Sequence, residues 1–396
     1  MSNRWAVLAL IMAAQTMANL GPLGIPAIAP LIRDDLGLTV AQAGSFLSAY
    51  YVGASLMSLP AGWLADHWGV LGTMVAGQVV IAVGLLASAG SPSFALLIPI
   101  MVVAGSGYGM LNPTTAKAAM SWFPRGQRAT AVGLKQVGLP LGGALGALLM
   151  PLLGLALGWR AAVAISASAI ALLALGTWLL YRDPPQSQLD QAVKASGALR
   201  EVLGNRDLWL LSLATLIFAG VQTAFLSFLV LYLRDVVGVP LLEAGRYLVG
   251  AQVLGMVGRV AFGLLSDRAF GGRRRIVLIL AALGSGICAL LMAATAPDAS
   301  PWWLAPLTFA FGFFGVGWNG VQHTLMAELV GPRAAGTAVG LGLAVSSAGV
   351  TLSGPLFGLA VERTGGYSAP WLGLAVAMAV AVGLLTGVRE GRIARA

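Results

Sequence analysis

Two positively charged side chains lie inside long apolar runs of this sequence, where a charge is expensive. Arg259 follows Gly255 by four residues and shares its helix face, and Lys135 lies three residues before Gly138. A cation so placed costs about 3 kcal/mol on membrane-insertion scales, and ionisable residues inside spans are therefore functional candidates. The alternatives are a structural Arg259 that reaches Asp267 and a Lys135 ammonium that snorkels to the membrane surface.

Neutral polar side chains also fall within apolar runs, in two sets that occupy matching places along the chain. The pairs Gln15/Asn19 and Asn319/His323 are each four residues apart, so each pair shares a helix face. His323 is the titratable member, whereas Lys117 points away from these faces and is expected to snorkel. Interhelical hydrogen bonding is the alternative role for any single member. The candidate binding set is Arg259, Lys135, Gln15, Asn19, Asn112, Gln222, Asn319 and His323.

The composition requires membrane-spanning helices to carry these residues. The chain has 396 residues, of which 58% are hydrophobic and 9% charged, a balance outside that of soluble domains. Continuous apolar runs of roughly 20 residues predict α-helical spans and exclude a barrel, whose strands would alternate. We predict twelve spans near 5–31, 40–64, 72–90, 94–120, 129–151, 159–181, 207–232, 242–266, 275–296, 302–328, 333–361 and 368–388.

Small residues recur at helical spacing on the fourth and fifth spans. Such stripes let two helix backbones approach closely in lipid, where apolar burial does not drive association. Lys135 lies at the edge of the second stripe and is therefore expected to face other helices. The two stripes are Gly105, Gly109, Asn112 and Ala116, followed by Gly138, Gly142 and Gly146.

The distribution of basic residues predicts the topology. The net charge is +9, and most Lys and Arg residues fall in loops on one side if both termini are cytoplasmic. This charge is a topology signal, and no basic stripe with interleaved aromatics indicates nucleic acid. Cys288 is the single cysteine, and no metal-ligand cluster, phosphate loop or nucleophile motif occurs. We therefore expect no cofactor and no enzymatic activity.

The sequence divides into two halves that repeat each other. Gly62-x-x-x-Asp66 recurs 201 positions later as Gly263-x-x-x-Asp267, and Asn112 matches Asn319 at an offset of 207. Matched polar positions in two six-span halves are typical of transporters built from repeats. The predicted domains are an N-terminal six-helix bundle at 1–181, a cytoplasmic linker at 182–206 and a C-terminal six-helix bundle at 207–396.

The repeated loop motif resembles that of the major facilitator superfamily. The copies after the second and eighth spans supply the expected gating residues Gly62, Asp66, Gly263, Asp267 and Arg268. The resemblance implies an all-α integral membrane protein with twelve transmembrane helices in two pseudo-symmetric bundles. The first copy lacks the basic residues usual in the motif, so we expect the second copy to dominate locking of the cytoplasmic side.

The resemblance also implies a role for Arg259. Monocarboxylate porters, oxalate–formate antiporters and nitrate porters have an anion-binding arginine at the matching position. Nitrate porters carry a second arginine where this chain has Ser58, which disfavours nitrate.

We therefore predict a secondary transporter for a small organic anion, a mono- or dicarboxylate, bound near the midplane between the halves. Transport is expected to be proton symport or anion exchange. The expected partners are therefore membrane lipid, the anionic substrate and either protons or a second anion. The expected form is a monomer in the cell's inner membrane, with both termini cytoplasmic. The alternatives are efflux of amphipathic compounds and a non-transporting membrane sensor.

Overall fold

The part of the chain described by the computed structural model is helical. It covers residues 3–124, 127–183, 198–297, 299–331 and 334–390, without the side chains at 59, 62, 66, 128–130, 198–199 and 335–336. These residues form fifteen α-helices, one π-helical turn and no strand, which confirms the predicted all-α class. The elements are α1 (Arg4–Leu36), α2 (Val40–Gly44), α3 (Phe46–His67), α4 (Gly69–Ala89), α5 (Phe94–Trp122), α6 (Arg128–Leu157), α7 (Trp159–Leu180), α8 (Ala198–Gly204), α9 (Arg206–Asp235), α10 (Leu241–Leu264), the π-helical turn Leu265–Ala269, α11 (Arg274–Ala293), α12 (Pro301–Gly317), α13 (Asn319–Val330), α14 (Ala335–Thr364) and α15 (Ser368–Gly387).

Most of these helices are suited to a bilayer. Within the described residues, eleven stretches are long and apolar enough to cross a membrane, and each overlaps a predicted span. The remaining predicted span, 40–64, corresponds to α2 and to α3, which has 22 residues. Large apolar side chains such as Leu56, Leu172 and Trp302 lie on the surface with 70%, 70% and 91% of their area exposed. Exposed apolar area of this kind is expected where helices face lipid rather than water.

Contacts between residues divide the chain into two compact units. Unit 1 comprises Met1–Gln191, Ser227–Arg234 and Val239–Val249, and unit 2 comprises Ala192–Leu226, Asp235–Gly238 and Gly250–Ala396. The boundaries proposed from the sequence, at 181 and 206, stay predictions.

Glycines position α1, α5 and α6 in unit 1. A Cβ atom at Gly138 or Gly142 would collide with the backbone of α1, and one at Gly105 or Gly109 would collide with the backbone of α3. The predicted stripes therefore do bring helix backbones into contact, since only glycine fits there. α6 lies against α1 on the face that carries Gln15, which determines where the polar side chains of both helices meet.

Unit 2 uses the same device beside the tenth span. A Cβ at Gly255 or Gly258 of α10 would collide with α12, at Val316 and Phe313 respectively. The sequence predicts one continuous span at 302–328, and Pro301–Val330 is one such span. Trp318, the single residue between α12 and α13, keeps right-handed helical backbone angles, so the two helices continue each other.

Candidate functional site

Lys135 is the cation of a polar cluster in unit 1. Its side chain is 1% exposed, and its Nζ atom donates to the Asn112 carbonyl at 2.8 Å, to Asn112 Oδ1 at 2.7 Å and to Thr115 Oγ1 at 3.1 Å. An ammonium has three donor protons, so these three acceptors match its capacity. All three are neutral oxygens. The side chain does not snorkel, and its charge is buried without a carboxylate among these acceptors.

The other predicted residues of unit 1 continue this network. Gln15 Nε2 donates to the same Asn112 Oδ1 atom at 3.0 Å, and Asn19 Nδ2 donates to the Gln15 carbonyl at 2.7 Å. Gln15 and Asn19 are both fully buried. The structure therefore brings Lys135, Asn112, Gln15 and Asn19 together, and the four link α1, α5 and α6 in one hydrogen-bonded chain.

Gln222 is the centre of a second cluster, in unit 2. Its Oε1 atom accepts from Trp318 Nε1 at 3.0 Å and from Asn319 Nδ2 at 3.3 Å. The Trp318 ring stacks on Phe218, with 5.1 Å between ring centroids. Trp318, between α12 and α13, is thus held to α9 by a hydrogen bond and a ring contact.

Arg259 approaches the same helix junction from α10. Its guanidinium is half-buried, and Nε donates to the Val316 carbonyl at 3.5 Å. Asn319 Nδ2 donates to that carbonyl at 3.2 Å, so the arginine and the amide share one acceptor. His323 lies one turn further along α13 and interacts electrostatically with Arg259. Unit 2 therefore brings together Arg259, Gln222, Asn319 and His323.

The first copy of the loop motif differs from its prediction. Gly62 and Asp66 lie in the last turns of α3 rather than in a loop, and their side chains are outside the described ones. The start of α4 is instead bound by Asp183, whose carboxylate accepts the Leu71 N–H at 3.3 and 3.4 Å. A helix N-terminus favours an anion there because its backbone N–H groups lack helical acceptors. A Cβ atom added at Gly263, in the second copy, would have no neighbour within 4 Å. Close packing against another helix therefore does not explain the glycine at this position.

The second copy forms a charged network at the π-helical turn. Asp267 pairs with Arg274 rather than with the adjacent Arg268, which is exposed. Arg274 Nε also lies 3.4 Å from Glu328 Oε1. The carboxylate of Glu390 accepts the backbone N–H of Arg274 and so binds the start of α11. One arginine thus connects two carboxylates, and it belongs to the basic run Arg273–Arg275 that follows the second copy of the motif.

The chain as a whole matches the family model described as Major Facilitator Superfamily over residues 5–354. The chain belongs to this superfamily. It is a multi-pass membrane protein that moves a small molecule across the membrane, and it is a transporter rather than an enzyme.

Relatives in the superfamily include transporters named for anions. The chain is 27% identical to "Probable sulfoacetate transporter SauU" of Cupriavidus necator, over 93% of this chain and 90% of that protein. It is 30% identical to "Monocarboxylate transporter 13" of Bos taurus, over 78% and 71% respectively. A solved bacterial homolog of the human lysosomal transporter Spinster, inward-facing and occupied, superposes with a TM-score of 0.81 at 21% identity, covering 98% of this chain and 97% of that chain. That structural likeness confirms the fold.

Three contributors were not predicted from the sequence. Thr115 follows Asn112 by three residues, a spacing that places both on one helix face and would have indicated it. Asp183 and Glu390 are 207 positions apart, the offset that relates Asn112 to Asn319. Repeat offsets applied to charged residues beyond the helix ends would therefore have found both helix-binding carboxylates.

Proposed function

We propose that this superfamily member transports a small organic anion, a mono- or dicarboxylate, by proton symport or by exchange of anions. The observation that carries the proposal is the Lys135 ammonium, which is 1% exposed and hydrogen-bonded to three neutral oxygens. A buried cation with neutral partners is stabilised most by an anion that enters its field, because the surrounding dielectric constant is low.

Arg259 is assigned the direct contact with the substrate carboxylate. A guanidinium presents a rigid fork of N–H donors that matches the two oxygens of a carboxylate. In this assignment Asn319 and Gln222 position the helix junction, and Lys135 supplies charge. His323 is proposed to complete this polar set, one turn along α13 from Asn319. The relatives named for sulfoacetate and monocarboxylates support an anionic substrate.

The proposed setting is the inner membrane of the cell, with both termini in the cytoplasm. Support comes from the bias of Lys and Arg toward one set of loops. The loop motif residues Gly62, Asp66, Gly263, Asp267 and Arg268 are proposed to control opening on the cytoplasmic side, with the Arg274 pairings strengthening the second copy.

A thermal-shift comparison of charged and neutral isosteres tests the proposal. The purified protein is heated with lactate or with lactamide, in which a neutral amide replaces the carboxylate. A ligand that binds only the folded protein stabilises it by about 2.7 kcal/mol at one hundred times its Kd. We expect lactate, or a larger organic acid tested in the same way, to stabilise the protein, and the corresponding amide to give no stabilisation. Equal stabilisation by acid and amide would contradict an anion site.

A further inference from the structure

Two oxygen atoms of the unit 1 cluster have no hydrogen-bond donor among the described residues. They are Gln15 Oε1 and Asn19 Oδ1, and each is buried in a residue with 0% exposure. Buried polar atoms are nearly always hydrogen-bonded, so each exception calls for a physical reason. Both atoms belong to residues four positions apart, on the face of α1 that meets the Lys135 network.

The direction of the hydrogen bonds determines that both atoms are acceptors. The Lys135 ammonium only donates, so the Asn112 atom at 2.7 Å from it must be the amide oxygen. That oxygen is also 3.0 Å from the Gln15 side-chain amide, which must therefore donate through Nε2. Gln15 Oε1 then takes no part in this hydrogen bond. Asn19 faces the Gln15 backbone carbonyl at 2.7 Å, so it too must present nitrogen there. Exchanging N and O in either amide would break one of these bonds.

We propose that Gln15 Oε1 and Asn19 Oδ1 each accept a hydrogen bond from a hydroxyl group of the substrate, so the transported anion is a hydroxylated carboxylic acid. The acid part of this inference rests on the proposed function, and the hydroxyl part rests on the two acceptors. A carboxylate alone has no proton to donate and would be repelled by both oxygens. A hydroxyl has one proton, so each of the two oxygens takes a separate substrate hydroxyl.

Selectivity follows from the cost of leaving these oxygens without a donor. A site that hydrogen-bonds a substrate hydroxyl strongly rejects an analogue that lacks it, because buried polar groups then stay unpaired. An unsatisfied buried group typically destabilises a complex enough to lower affinity about tenfold or more. We therefore expect each added hydroxyl, up to two, to raise affinity by about that factor.

Gln78 offers a matched control elsewhere in unit 1. Its Nε2 atom donates to Thr177 Oγ1 at 3.1 Å, and its Oε1 atom has no donor among the described residues. It is fully buried like Gln15, but it links α4 to α7 and does not belong to the Lys135 network. Replacing either glutamine with methionine keeps the volume and removes a buried amide, and Gln78→Met does so outside the Lys135 network.

The experiment measures affinity of the full-length protein for acids that differ only in hydroxyl groups. The probes are propionate, lactate and glycerate, with hexanoate and gluconate as a six-carbon pair and glycerol as a neutral control. Each is titrated by thermal shift against the wild type, Gln15→Met, Asn19→Leu and Gln78→Met. The ratio of two affinities within one variant is insensitive to how stably that variant folds.

In the three-carbon series we expect glycerate to bind about tenfold more tightly than lactate, and lactate to bind about tenfold more tightly than propionate. If the site takes only larger acids, we expect gluconate to bind at least tenfold more tightly than hexanoate. Gln15→Met and Asn19→Leu should reduce these ratios toward one, while Gln78→Met should preserve them. Equal binding of hydroxylated and plain acids would overturn the hydroxyl inference and leave anion transport standing. Binding of glycerol as tight as glycerate would instead contradict the anion site, and binding of none of the probes would overturn both.

Discussion

The two units hold their cations in different ways. In unit 1 the Lys135 ammonium is 1% exposed and its three protons are matched by three neutral oxygens. In unit 2 the Arg259 guanidinium is half-buried beside the turn residue between α12 and α13, and its Nε meets the Val316 carbonyl at 3.5 Å. An ammonium whose protons are matched by neutral oxygens acts on an anion through its field, whereas the rigid fork of a guanidinium suits direct contact with a carboxylate.

Removal of the Arg259 charge is expected to have the largest effect. Arg259→Gln deletes one partner of a desolvated ion pair, a loss of about 2 to 5 kcal/mol, or thirty-fold to several thousand-fold in affinity. The measurement is counterflow of a labelled acid, the one with the largest thermal shift, into proteoliposomes. If the variant shows counterflow at the wild-type rate with equal protein incorporation, Arg259 does not contribute to substrate binding.

Lys135→Met should lower affinity less, by about tenfold, because the lysine contributes charge without direct contact. The substitution also takes a donor from three buried oxygens, so we expect a lower Tm as well. Lys117 supplies the control, since its Nζ donates to the Ala65 carbonyl at 3.1 Å and also links two helices of unit 1. Lys117→Met should leave affinity unchanged. Equal losses of affinity in both variants would show that the effect is structural.

Trp318→Phe should have a smaller effect on binding. The variant keeps the ring stacked on Phe218 and removes the indole donor to Gln222 Oε1. Loss of one hydrogen bond of about 1 kcal/mol corresponds to roughly five-fold in affinity. Gln222→Met removes the same bond from the other side, so the double variant should cost little more than either single one. Fully additive losses would mean that the two residues act separately.

The loop motif should affect the equilibrium between conformations more than affinity. Asp267 pairs with Arg274, which also meets Glu328, so Asp267→Asn weakens a connected network. We expect it to change cysteine-labelling accessibility more than Asp66→Asn does, because the first copy lacks comparable basic residues. Indistinguishable labelling of the two variants would refute this asymmetry.

The fold was predictable because its signals are local and strong. Apolar runs of span length and glycines at helical spacing are visible in the sequence, and both determine backbone structure directly. The grouping of Gln15 with Asn19 and of Asn319 with His323 followed from helix periodicity alone. These features need no knowledge of which helices meet in space.

The remaining contacts depend on pairings that one sequence does not reveal. Nothing local distinguishes Arg268 from Arg274 as the partner of Asp267, because the π-helical turn at Leu265–Ala269 changes which side chains align. Asp183 lies 112 residues from Leu71, so its contact depends on how α4 and α7 pack.

The most direct test of an anion site at Arg259 is the charge-preserving variant Arg259→Lys, measured for both Tm and the shift in Tm at saturating acid. An ammonium keeps the charge but lacks the rigid fork that engages both carboxylate oxygens. We predict that the acid-induced shift is largely lost while the Tm without acid changes little. A lowered Tm with an undiminished acid-induced shift would contradict the account and make Arg259 a structural residue.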